Sequence, residues 1–167
     1  MRGDSASPRI CFSHETLELI APSRSHELIK GLVGRLLEVW TMEHDVELVG
    51  LGSFTLRAPA LDIAVEPDQS YLIGTDKGDV PHLAIEIVWT HPVEHRLPIY
   101  ASLGVRELWV WRAGELEVHV LNRRRYVRRS SSHLLPGLDL KLLNQFLAQW
   151  QNARGLVRKY QLALRSH

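Results

Sequence analysis

Cysteine occurs once in this chain of 167 residues, at Cys11. A single thiol excludes an intrachain disulfide and every zinc pattern that needs a cysteine pair. Beside Phe12 it reads as a buried, inert thiol rather than a nucleophile. Long apolar runs are also missing: nothing approaches the ~18 residues that span a bilayer, although hydrophobic residues make up 45% of the chain and charged ones 23%. The expectation is a soluble globular protein with no membrane partner. Residues 1–12 contain two arginines but no apolar signal-peptide core, so cytoplasmic residence is the default. There is no Gly-x-Gly-x-x-Gly, and Gly74 and Gly78 around Asp76 do not follow a phosphate-loop pattern, which leaves nucleotide binding unsupported.

Net charge is nearly absent as well, with 20 Lys and Arg against 19 Asp and Glu. Attraction to polyanions must therefore be local. The one concentration of charge is Arg123, Arg124, Arg125, Arg128 and Arg129, within seven positions. Two readings stand: a hairpin turn facing water, or an arm contacting DNA phosphates.

The length suits one domain over residues 1–167, with 1–12 as a flexible N-terminal extension. Residues 26–43 carry Leu28, Ile29, Leu32, Val33, Leu36, Leu37, Val39 and Trp40 at spacings of three and four, which predicts a helix capped by Ser25 with Glu27 near its positive end. Val46–Arg57 is strand territory broken at Gly50 and Gly52, and Ile63–Ile73 is a strand pair or bent strand interrupted at Pro67. His82–Trp89 is apolar apart from Glu86, the pattern of a central strand covered on both faces. A short helix over 93–103 ends at Gly104, strands run over 106–111 and 115–121 around Ala113–Gly114, and Tyr126–Val127 supplies another. The last helix opens at Asp139, an N-cap before Leu140, Leu142, Leu143, Phe146, Leu147 and Trp150. This order describes an α/β fold with a mixed central sheet flanked by helices. Trp89, Trp109 and Trp111 are expected in the core beside the sheet or in a dimer seam.

Two acids resist a bland explanation. An ionised carboxylate in an apolar strand costs several kcal/mol unless it is paired or bound to a cation. Glu86, between Ile85 and Ile87, is such a group, and Asp68 follows Pro67 at the mouth of the preceding strand. Neighbouring strands would let both share one Mg²⁺, which prefers oxygen ligands, in the manner of a phosphodiesterase. The alternatives remain open: Asp68 as a turn cap, Glu86 as a salt-bridge partner of Arg96. His82, His91 and His95 fit no compact transition-metal ligand set.

Three ordered blocks, Glu66-Pro-Asp-Gln-Ser-Tyr-Leu-Ile73, Pro81-His-Leu-Ala-Ile-Glu-Ile-Val-Trp-Thr-His91 and the stretch from Arg96-Leu-Pro-Ile-Tyr100 to Trp111, resemble the Uma-two family of bacterial restriction-endonuclease-like proteins. The likeness runs from Pro22-Ser-Arg-Ser-His26 to the segment ending at Leu140. It implies a restriction-endonuclease-like PD-(D/E)XK core, Mg²⁺ dependence with Mn²⁺ as a substitute and frequent homodimerisation, in a family whose substrates are largely uncharacterised; with Asp68 and Glu86, the pattern makes DNA the expected substrate. Carried over by position, Asp68 and Glu86 are the metal-binding acids and Glu27 an accessory acid. The superfamily lysine two residues after the strand glutamate is here Val88, and the family's lysine on the following helix is here Arg96. Arginine stays protonated in proteins, so Arg96 cannot take a proton from water. The resemblance thus leaves two functions in view: a Mg²⁺-dependent endonuclease, or a nuclease-fold binding module that does not cut.

Overall fold

A computed structural model describes residues 9–13, 16–20, 23–75, 78–89 and 93–166. Asp76 and His91 lie outside the described residues, as do residues 1–8 of the expected N-terminal extension. The remainder of that extension lies in a strand, β1 (Arg9–Ser13), which pairs antiparallel with β2 (Thr16–Ile20).

The long helix predicted by spacing is α1, Arg24–Glu43. Its cap is Ser23, not Ser25: Ser23 is extended and its hydroxyl accepts the N–H of His26 at 3.2 Å, so Ser25 falls inside the first turn. The strand territory after it yields β3 (Leu48–Gly50) and β4 (Leu56–Ala58), with a 3₁₀ turn at Pro59–Leu61. Pro67 then separates two strands that are consecutive in sequence but belong to different sheets, β5 (Ile63–Val65) and β6 (Gln69–Ile73).

The apolar run becomes β7 (Leu83–Val88), interior in a six-stranded sheet. After it come α2 (Leu97–Leu103), β8 (Glu107–Arg112), β9 (Glu115–Asn122) and β10 (Arg125–Arg129). The sheet order is β10-β9-β8-β7-β6-β3; β7 and β8 are parallel across the α2 crossover and the other neighbours antiparallel, so the sheet is mixed as expected. A four-stranded sheet, β2-β1-β5-β4, forms a separate layer. Pro98 sits in the first turn of α2, where its missing N–H costs nothing, and Gly104 ends the helix at φ 82°.

Asp139 caps α3 (Leu140–Leu147), accepting the N–H of Leu142 at 2.9 Å. This is not the last helix. A further one, α4 (Leu156–Leu164), buries Leu156 and Tyr160, four residues apart on one face, and opens on Gly155 at φ 75° instead of a polar cap. Trp150 lies in a 3₁₀ turn between the two helices.

Alternation along β7 and β8 divides the core in two. Ile85, Ile87, Trp109 and Trp111 face Ile29, Leu36 and Trp40 of α1 together with α3 and α4. Ala84, Leu108 and Val110 face α2 and the four-stranded sheet through Ile99, Tyr100, Ile63 and Val65. Each fully buried Leu or Ile contributes roughly 1.5–3 kcal/mol, so both faces of β7 are held tightly. Cys11 is buried as expected, on the α2 side. Trp109 and Trp111 are buried, but Trp89 is 44% exposed, because it stands past the end of β7, its ring 4.8 Å from Trp111 and 5.4 Å from Trp150. No described helix is long and apolar enough to cross a membrane.

Candidate functional site

Asp68 immediately precedes β6, where β6 meets β7. Its N–H donates to the carbonyl of Ile85 at 3.0 Å, and its Oδ2 accepts the N–H of Ile87 at 2.6 Å. Asp68 therefore holds the residues on both sides of Glu86. A short polar side chain takes over the hydrogen bonding of the strand where Pro67 has no N–H to give. The carboxylate is buried and meets a second group, the ring of His26, with Nε2 3.0 Å from Oδ1 and 3.1 Å from Oδ2.

His26 stands in the first turn of α1, and its other ring nitrogen, Nδ1, lies 3.3 Å from Oε1 of Glu27. The ring thus bridges Asp68 and Glu27. Glu27 is half-exposed and also pairs with Lys30. Burial works upward on the Glu27 carboxyl, but Lys30 and then His26 outweigh it and hold it below the usual carboxylate range.

Glu86 points to the opposite side of β7 from Ile85 and Ile87, toward α2. It is 1% exposed, and both of its oxygens are engaged: Nη1 of Arg96 lies 3.1 Å from Oε2, and the hydroxyl of Tyr100 donates to Oε1 at 2.5 Å. Arg96 and Tyr100 are four residues apart at the start of α2, the spacing that puts two side chains on one helix face. Arg96 is 6% exposed. Burial, and after it the Glu86 charge, push the Tyr100 hydroxyl well above its ordinary range, so it remains a donor.

Asp68 and Glu86 are therefore neighbours across the β6–β7 pair, while their partners come from different layers: His26 from α1, Arg96 and Tyr100 from α2. Buried carboxylate oxygens are the hard donors that suit Mg²⁺, which is commonly held by one or two carboxylates with waters. Each carboxylate has the donor chemistry that suits such an ion, and His26 links Asp68 to Glu27. Among the described residues no group of three or more His, Cys, Asp or Glu is clustered as a metal site. His82 is buried with Nδ1 against the backbone of Ile73, and His95 is exposed.

The predicted arginine cluster forms the end of the β9–β10 hairpin. Arg123 turns the chain at φ 59°, and Arg123, Arg124 and Arg125 are exposed and line a concavity of about 500 Å³ with Asn122 and Val127. Arg128 is committed to acids, with Nη2 3.3 Å from Glu115 and Nη1 3.1 Å from Glu117. Glu86 pairs level with Val110, and Val110 with Glu117; Asn122 is five residues further along β9. At ~3.4 Å per residue and ~4.8 Å per strand the hairpin tip lies ~20 Å from Glu86.

His26 and Tyr100 carried no assigned role in the sequence reading. A signal for each existed: His26 is a polar residue on the apolar stripe of α1, and Tyr100 is one turn from Arg96.

No curated protein matches the chain. The Uma2 family, described as "Putative restriction endonuclease", matches it over residues 2–158. The mixed sheet and its flanking helices agree with the restriction-endonuclease-like fold of that family, and the chain belongs to the Uma2 family.

Proposed function

We propose that this protein is a Mg²⁺-dependent endonuclease that hydrolyses DNA phosphodiester bonds, with Asp68 and Glu86 as cation ligands. The observation that carries the reading is the grip of Asp68 on the residues flanking Glu86, which brings two buried acids to the end of one strand pair. A bound Mg²⁺ supplies charge neutralisation at the phosphate and acidifies water. The chain's own groups do the rest. Arg96 keeps its positive charge at any working pH and serves charge stabilisation, not proton removal. Glu27, ionised and partly exposed, is the one acid of the group open to water, and its lowered pKa makes it a weak proton acceptor. His26 orients Asp68 and Glu27 together. The exposed Arg123, Arg124 and Arg125 serve phosphates roughly six nucleotides along the duplex from the scissile bond, given the ~20 Å separation and ~3.4 Å of axis per nucleotide. A homodimer would present two such sites to the two strands.

A second reading has its own support. Both oxygens of Glu86 are satisfied by Arg96 and Tyr100, and the group in the lysine's place cannot act as a base. On this reading the protein binds DNA without cutting it.

Plasmid and oligonucleotide DNA incubated with Mg²⁺ or Mn²⁺ separate the two. Cleavage by the native chain that is abolished in Asp68→Asn and in Glu86→Gln supports the nuclease; cleavage that survives both substitutions removes these acids from the mechanism. DNA binding with no cleavage by the native chain selects the second reading.

A further inference from the structure

We propose that Arg96 is the resting counter-ion of Glu86, and that a divalent cation gains this carboxylate only by displacing the guanidinium. The inference rests on the reading that Asp68 and Glu86 hold the cation, and it adds what sets the affinity of that site.

Two structural facts carry it. Oε2 of Glu86 faces Arg96 Nη1 at 3.1 Å and Oε1 faces the Tyr100 hydroxyl at 2.5 Å, so an ion approaching Glu86 meets an anion already neutralised and hydrogen-bonded. All three side chains are buried, with Arg96 6%, Glu86 1% and Tyr100 0% exposed, so water screens neither the attraction within the pair nor the repulsion between the guanidinium and an entering dication. A lysine in this position could yield by losing a proton; an arginine cannot. Displacement has a physical route. Arg96 is the residue before Leu97, at the N-cap of α2, and its backbone stays fixed by the bonds Arg96 N–H to Val93 O at 2.8 Å and Tyr100 N–H to Arg96 O at 3.0 Å. Moving the side chain therefore does not require the helix to unwind.

The test is Mn²⁺ binding to the full chain, followed by calorimetry and by the electron paramagnetic resonance of free Mn²⁺. Four proteins are compared: native, Arg96→Met, Glu86→Gln and Arg96→Met/Glu86→Gln. The expected result is Mn²⁺ affinity at least ~10-fold tighter in Arg96→Met than in the native chain, a difference of about 1.4 kcal/mol, with the gain absent from the double variant. Equal affinity in native and Arg96→Met, lost in Glu86→Gln, overturns the counter-ion role while the cation reading of Asp68 and Glu86 stands. Absence of any Glu86-dependent Mn²⁺ binding in both proteins overturns the cation reading and this inference with it. Should Arg96→Met be unfolded without metal, refolding on Mn²⁺ addition, seen by circular dichroism, is the expected result. Without refolding, Arg96→Lys decides: tighter Mn²⁺ binding than native is expected because an ammonium lacks the guanidinium fork and can yield by losing a proton, and unchanged binding overturns the proposal.

Discussion

The guanidinium of Arg96 and the carboxylate of Glu86 form an ion pair at 3.1 Å in the layer between the six-stranded sheet and α2. Such pairs contribute little net stability when both members are present, because desolvation offsets the attraction, but removing one leaves a bare buried charge. Arg96→Ala is expected to lower stability by about 3–5 kcal/mol, and the double variant Arg96→Met/Glu86→Leu by much less. Urea unfolding of the two variants checks this; equal losses would mean that the pair is not the source of the effect.

Glu107 is a buried acid with a purely architectural setting. It accepts from Trp109 Nε1 at 2.9 Å and Ser132 Oγ at 2.8 Å on one oxygen, and from the N–H groups of His133 and Leu134 at 2.6 and 3.1 Å on the other. In Glu107→Gln an amide NH₂ must face two of these donors. A loss of roughly 2–4 kcal/mol is expected, seen as a lower urea midpoint, together with faster amide exchange over residues 132–135. A variant as stable as native would show that this loop is anchored elsewhere.

Glu43, at the end of α1, receives Arg165 Nε at 2.8 Å and Gln161 Nε2 at 2.7 Å from the end of α4. These bonds, Arg165 first, lower its pKa from 4.5 to about 2. A carboxylate with a depressed folded pKa stabilises the native state above its unfolded value and loses that contribution as pH falls through the folded one. Melting temperature should therefore decline between pH 5 and 2 more steeply in the native chain than in Arg165→Ala. Parallel declines would mean that the α1–α4 contact does not depend on this charge.

Arg123, Arg124 and Arg125 carry no ion pair among the described residues, whereas Arg128 is held by Glu115 and Glu117. If the hairpin contacts DNA, removing the first three should flatten the log–log salt dependence of duplex binding by roughly 0.9 per lost phosphate contact. Arg128→Ala should change it less. Titrations of a labelled duplex across a range of NaCl concentrations measure the slope, and an unchanged slope in the triple variant removes the tip from the interface.

Some of this architecture was readable residue by residue. The spacing of Ile29, Val33, Leu36 and Trp40 defined α1, the apolar surround of Glu86 defined an interior strand, and Asp139 announced α3, because helix periodicity, strand burial and capping depend on neighbours within a few positions. Glu86 stood out for the same reason: its local surroundings made an isolated charge too costly. Local rules also misled. Ser25 was the expected cap of α1 where Ser23 takes that place, and a helix opening on Gly155 gave no polar start signal. What only the tertiary structure decided is which groups satisfy the buried acids. His26 reaches Asp68 across 42 positions, and Arg96 and Tyr100 close on Glu86 only because the parallel crossover lays α2 over β7. The sequence by itself determined that Glu86 needs a cation, since burial of a charge is a local cost. Arg96 was already one of the candidates in the sequence, but the choice of its guanidinium was made by tertiary packing, to which local periodicity is blind.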